Sequence, residues 1–181
     1  TPNRKDGLIK IVKWHLGNII CEVKRKEQSN VVITMFEYTT NDVHFKEAKQ
    51  WVKGDRKVSI QKMLTNLASI EGRNICIVEI LGKLMNLGRK VLVLSWRLEH
   101  LVELKIRYDN IIKQFDLPYI TDYYIGGMKE GELNKSAEAN IIFATYAMAS
   151  EGLDIDSLDT LVLALPKKDV IQSIGRILRK P

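Results

Sequence analysis

Cysteine and proline are scarce in this chain, with two cysteines (Cys21 and Cys76) and 4 prolines in 181 residues. The two thiols lie far apart and form no CxxC pair, no His/Cys metal box and no disulfide framework, so a zinc ribbon or a stapled secreted scaffold is excluded. They read as reduced thiols of an intracellular protein, cytoplasmic or nuclear. Long hydrophobic runs are also missing. The longest charge-free stretch, Ala139 to Ser150, falls well short of the ~20 apolar residues that cross a bilayer, so no membrane span is expected. No solenoid-length repeat or low-complexity tract is present. The first residue is Thr1, and no basic-then-apolar leader follows, so the sequence reads as a piece of a longer product.

What is present is an ordinary globular mixture, 45% hydrophobic and 28% charged. A chain of this length makes one domain or two small ones and buries roughly 70% of its unfolded surface. The formal charge is +6, unevenly spread. Thr1 to Lys62 holds 13 basic and 7 acidic residues, Met63 to Pro166 holds 10 and 14, and Lys167 to Pro181 holds 5 and 1. Basic ends suit a polyanion, either a nucleic-acid backbone or nucleotide phosphates, and equally suit solubility alone.

Leu8 to Leu16 opens the chain. Ile19 to Lys24 and Val31 to Tyr38 are rich in β-formers around a polar turn at Arg25 to Asn30, which predicts a hairpin. Asn41 to Gly54 reads as a loop with one helical turn. Helical spacing predicts helices over Val58 to Ala68 and Asn74 to Leu87, separated at Glu71-Gly72. From Lys90 onward, β runs (Val91 to Leu94, Tyr119 to Ile125, Ile141 to Ala144, Thr160 to Ala164) alternate with helical segments, notably Arg97 to Phe115 and Asp169 to Leu178. This alternation predicts an α/β fold with a mainly parallel sheet flanked by helices, plus the amino-terminal hairpin and helical extension. Ligands gather beyond the carboxyl ends of such strands. Ser95-Trp96-Arg97, Gly126-Gly127, Thr145-Tyr146 and Pro166-Lys167 would then share one edge.

Two segments carry candidate chemistry. In Ala144 to Ile155, Thr145 offers a hydroxyl and amides to a phosphate where the chain leaves the sheet, Gly152 permits close approach, and Asp154 can accept from ribose hydroxyls or a water. In Gln172 to Arg179, helical spacing puts Gln172, Arg176 and Arg179 on one face. Two guanidinium forks aimed one way match phosphate oxygens, although they also suit a solvated basic face near a helix end. Gly175 inside a helix costs about 1 kcal/mol, which favours a functional reason. Gly82 to Arg89 fails as a phosphate-binding loop: its spacing is off by one, no Lys-Ser/Thr follows, and it precedes a strand. No metal-ligand or nucleophile pattern appears, so no metal site is assigned, and His15, His44 and His100 read as surface or packing residues.

Taken in order, Val91 to Leu101, Ala144 to Ile155 and Gln172 to Arg179 resemble motifs IV, V and VI of superfamily 2 helicases, and Thr1 to Leu8 resembles the text that follows motif III. The wording is most similar to the DNA helicases of large DNA viruses and phages. The stretch between Thr145 and Asp154 is one residue longer than in DEAD-box RNA helicases and carries Glu151 where those often have Arg. The resemblance implies the second, RecA-like lobe of a two-lobed ATPase, over residues 58–181, preceded by a linker and β-rich extension over 1–57. It implies ATP and Mg²⁺ held mainly by a first, amino-terminal RecA-like lobe of the same polypeptide. Arg176 and Arg179 would be arginine fingers, Gln172 a polar sensor, and Gly152 and Asp154 further nucleotide contacts. Ser95, Trp96, Arg97, Gly126, Gly127, Thr145 and Tyr146 would hold a nucleic-acid strand, DNA rather than RNA. A viral relative would act in the host cytoplasm or virion, and the fragment alone would be inactive. A silent nucleic-acid-binding scaffold and a stand-alone nucleotide-binding protein are the competing expectations.

Overall fold

The computed structural model describes residues 9–17, 20, 32–151, 155 and 157–167. The chain divides into two units, Thr1–Glu37 and Tyr38–Pro181. In the first, helix α1 (Ile9–Leu16) ends on Gly17, whose φ of 80° lets its amide turn back to the Lys13 carbonyl at 2.9 Å.

The second unit starts with a single 3-10 turn, Val43–Phe45, capped by the Asp42 carboxylate, which accepts from the His44 amide at 2.8 Å. That backbone hydrogen bond and the neighbouring His44 ring hold the Asp42 carboxyl below the usual carboxylate range. Strands β1 (Lys49–Val52) and β2 (Asp55–Val58) then form an antiparallel ribbon. The chain reverses at Lys53 (φ 50°) and Gly54 (φ 86°), the left-handed pair that a two-residue hairpin turn demands. This ribbon is not the hairpin expected over Ile19 to Tyr38. Residues 32–40 form no strand, and residues 21–31 lie outside the described residues. Asn41 to Gly54, read as a loop, supplies the 3-10 turn, β1 and the hairpin turn.

Ser59 closes the ribbon and opens α2 (Ile60–Ser69), its Oγ accepting from the Lys62 amide and donating to Gln50 Oε1. Ile70, 1% exposed and in extended conformation, breaks the chain before α3 (Glu71–Asn86). The break thus falls one residue before the expected Glu71-Gly72, both of which belong to the first turn of α3. That helix ends at Gly88 (φ 67°) with paired bonds from Gly88 to Met85 and from Arg89 to Leu84, the Schellman closure.

Next come β3 (Val91–Ser95), α4 (Leu98–Phe115), β4 (Thr121–Tyr124), α5 (Glu130–Ser136), β5 (Ile141–Thr145), α6 (Tyr146–Glu151) and β6 (Thr160–Leu163). The four strands form one parallel sheet in the order β4-β5-β3-β6. Its two central strands, β3 and β5, are apolar up to their last residue because both faces are covered. Val91 and Val93 pack with Leu81 and Met85 of α3 and Leu101, Leu104 and Tyr108 of α4. Leu92 and Leu94 face the other way, with Tyr146 and Ala149 of α6. Each such side chain, fully withdrawn from water, contributes roughly 1.5–3 kcal/mol.

Polar clamps hold the rim where the strands begin. The Asn140 side chain accepts from the Ile120 amide at 2.8 Å, its carbonyl accepts from Val91 N at 2.9 Å, and Asp159 Oδ1 accepts from Lys90 N at 3.2 Å. The loops that hold the sequence-predicted site residues Ser95 to Arg97, Gly126-Gly127 and Thr145-Tyr146 leave from the opposite rim.

Candidate nucleic-acid interface

Because all four strands run in parallel, their carboxyl ends lie along one edge, and the sequence-predicted Ser95-Trp96-Arg97, Gly126-Gly127, Thr145-Tyr146 and Pro166-Lys167 follow them there. Their side chains have separate fates. Ser95 is fully buried. Its hydroxyl accepts from the Arg97 amide at 3.2 Å and meets His100 Nδ1 at 3.1 Å. On the far side of the ring, His100 Nε2 lies 3.0 Å from Asn74 Oδ1, while Asn74 Nδ2 donates to the Ala68 carbonyl at 2.8 Å.

This chain of partners fixes the tautomer. Asn74 spends its amide hydrogen on Ala68, so its oxygen faces His100 and Nε2 must carry the proton. Nδ1 is then the acceptor, and the Ser95 hydroxyl donates to it. Burial, reinforced by the Arg73 guanidinium, depresses the His100 pKa to about 4. His100 is thus a packing residue, as expected, but one that ties α3 and α4 to the end of β3 and so sets the β3–α4 loop.

Trp96, which follows Ser95, is 47% exposed, with its indole N–H donating to the Pro166 carbonyl at 2.9 Å. Its ring lies 4.8 Å from that of Tyr146, tilted by 47°, a favourable aromatic contact. Lys167 Nζ stands 4.8 Å from the Tyr146 centroid and 5.9 Å from that of Trp96. Tyr146 itself is 1% exposed and donates its hydroxyl to the Leu165 carbonyl. Burial pushes its pKa up, so it stays a neutral donor. The hydroxyls of Ser95 and Tyr146 therefore already serve the protein, and Trp96 is the surface-facing ring of this group.

The remaining candidates are placed as follows. Arg97 points along the first turn of α2, its Nη2 3.4 Å from the Gln61 carbonyl. The Thr145 hydroxyl accepts from the Met148 amide at 3.4 Å. Gly126 and Gly127 are exposed in the turn after β4, and the φ of 87° at Gly127 requires glycine. Gly152, Asp154, Gln172, Arg176 and Arg179 lie outside the described residues, as does the expected helix Asp169 to Leu178.

Sequence reasoning passed over Arg73. From α3 its guanidinium reaches the Ala164 carbonyl just beyond β6, and burial lowers its pKa. Nη1 has no hydrogen-bond partner among the described residues. Its only sequence signal is an arginine early in an otherwise apolar-faced helix. A cleft of about 610 Å³ opens between α2, α3 and α4, lined in part by Asn74, Arg97 and His100. Arg107 there pairs with Glu71 at 3.5 Å and with Glu103, so its charges neutralise one another. No group of three or more His, Cys, Asp or Glu suited to a metal occurs among the described residues, and no described helix is long and apolar enough to cross a membrane.

These features define an α/β domain whose parallel sheet presents aromatic, basic and glycine-bearing loops at its carboxyl rim. The same fold occurs in the crystal structure of T4 UvsW, with a TM-score of 0.54 and 24% identity, covering 71% of this chain and 26% of that one. In sequence the chain is 38% identical over 178 residues, 98% of its length, to "Putative ATP-dependent RNA helicase L396" of Acanthamoeba polyphaga mimivirus. It spans 34% of that curated relative's length. No family model matches the chain.

Proposed function

We propose that the chain is the second ATPase lobe of a nucleic-acid-dependent helicase or translocase of superfamily 2. The observation that carries this reading is the 38% identity, extending over 98% of the chain, to a protein named as an ATP-dependent helicase. The parallel sheet with its loop-bearing carboxyl rim supports it, since such a rim is where an α/β sheet receives ligands.

In this reading Trp96, Arg97, Gly126, Gly127 and Thr145 meet a nucleic-acid strand, with Ser95 and Tyr146 positioning that surface from beneath. Backbone amides and the Arg97 guanidinium contact phosphates, which fixes register without reading sequence. ATP with Mg²⁺, gripped mainly by a first RecA-like lobe, supplies the phosphoryl-transfer chemistry. Arg176 and Arg179 would add positive charge, and Gln172, Gly152 and Asp154 polar contacts, to the bound nucleotide. A finger supplied across a cleft is worth ~10³- to 10⁵-fold in rate.

The test is nucleic-acid-stimulated ATPase activity of the full-length product. Arg176→Ala and Arg179→Ala are expected to lower it by ~10³-fold or more, and near-intact activity in both overturns the assignment in favour of a silent scaffold. Similarity of wording to viral and phage DNA helicases favours DNA as the strand. The name of the mimivirus relative favours RNA. Stimulation by single-stranded DNA set against RNA of equal length separates the two.

A further inference from the structure

The β1–β2 ribbon is not accounted for by the rim. It stands outside the four-stranded sheet, and every residue of both strands is exposed except half-buried Val52. Its register gives it two faces. Gln50 pairs with Lys57 and Val52 with Asp55, and Gln50 is bonded to Ser59 at the start of α2, so this face turns toward the protein. On the other face Lys49 pairs with Val58 and Trp51 with Arg56.

That outer face carries a tryptophan 70% exposed, with the Arg56 guanidinium 5.4 Å from its ring centroid. It has no acidic residue. Glu47, just before β1, forms an exposed pair with Lys49 at 3.2 Å, an interaction of little strength in water. From Lys46 to Lys62 there are six basic residues against two acidic. At the tip, Lys53 occupies a left-handed conformation that glycine or asparagine adopts more easily, so a cation stands where conformation alone favours another residue.

We propose that this ribbon is a second contact for single-stranded nucleic acid, stacking an unpaired base on Trp51 while Lys49, Lys53 and Arg56 meet the flanking phosphates. An exposed aromatic ring among cations is the combination that holds unpaired strands without regard to sequence. Charge complementarity selects a polyanion over an apolar partner. The ribbon is also tied to the rim, because Ser59 and Gln61, in one turn at the start of α2, are bonded to Gln50 of β1 and to Arg97 respectively. The inference rests on the nucleic-acid reading of the rim and extends it.

The experiment is fluorescence anisotropy of fluorescein-labelled (dT)20 and (U)20 titrated with the whole chain across a salt series. Trp51→Ala is expected to weaken both strands about 5- to 100-fold, and Trp51→Phe to restore most of the affinity. Lys53→Gly relieves the turn while removing charge, so it keeps the ribbon and lowers the salt slope by roughly 0.7. Wild-type affinity and slope in both Trp51→Ala and Lys53→Gly overturn the ribbon contact. If Arg97→Ala weakens binding in that same series, the rim reading survives the loss. Absence of binding by the wild-type chain to either strand removes both.

Discussion

At the scale of single residues, the link from Asn74 through His100 to Ser95 has a pH signature. The folded state holds His100 neutral, with a pKa near 4 against 6.5 for the free side chain. Between those values the unfolded chain binds a proton that the folded chain refuses, so stability is complete above pH 6.5 and falls as the pH drops toward 4. Protonated Nδ1 would also turn a donor toward Ser95 Oγ, which already accepts from Arg97 N. The loss amounts to roughly 3 kcal/mol. Urea denaturation of wild type and His100→Asn at pH 7 and pH 4.5 measures it. The wild type should lose distinctly more than the variant, and equal losses would refute a neutral buried ring. None of this was legible in the sequence, because Asn74 and His100 are 26 residues apart and no local pattern announces a partner across two helices. The helicase resemblance implies a nucleic-acid contact at Ser95, yet its hydroxyl is already occupied by His100.

Among the elements, Val91 to Ser95 and Ile141 to Thr145 were the easiest to read. A strand covered on both faces shows an unbroken aliphatic run, and their limits shifted by one residue at most. The ribbon escaped notice for the opposite reason. Lys-Gln-Trp-Val and Asp-Arg-Lys-Val bury almost nothing, so neither shows apolar alternation, and their signal is the two-residue Lys53-Gly54 connection. Val32 to Tyr38 has stronger β propensity and yet forms no strand with any described residue, since propensity alone does not make a sheet. The covered sheet has its own test. Leu104, fully buried between α4 and β3, should cost about 2–5 kcal/mol on truncation to alanine. Leu163, 40% exposed at the end of edge strand β6, should cost about 1 kcal/mol or less. Thermal melts of Leu104→Ala and Leu163→Ala compare them, and similar shifts would count against a core on both faces.

For the whole molecule, the order of the three motif-like segments along the chain suggests the functional reading, and the 38% identity to the mimivirus protein over 178 residues carries it. If the chain is one lobe of two, it should release no phosphate from ATP even when saturated with nucleic acid, while the full-length product should do so. A phosphate-release assay on both checks this, and turnover by the chain alone would contradict the division of labour. The clamps around Asn140, Lys90 and Asp159 have a wider consequence. Strand β3 is apolar at every position from Val91 to Leu94, so within that run a slide by one residue only trades valines for leucines, and alternation alone cannot forbid the slip. Alignment instead depends on hydrogen bonds at both ends of the strand, through Asn140 and Asp159 where it begins and through the Ser95–His100 pair where it ends. Folding instructions and chemical vocabulary therefore share the margin that would touch a ligand, and drift or an engineer can rewrite only the opposite margin without disturbing both.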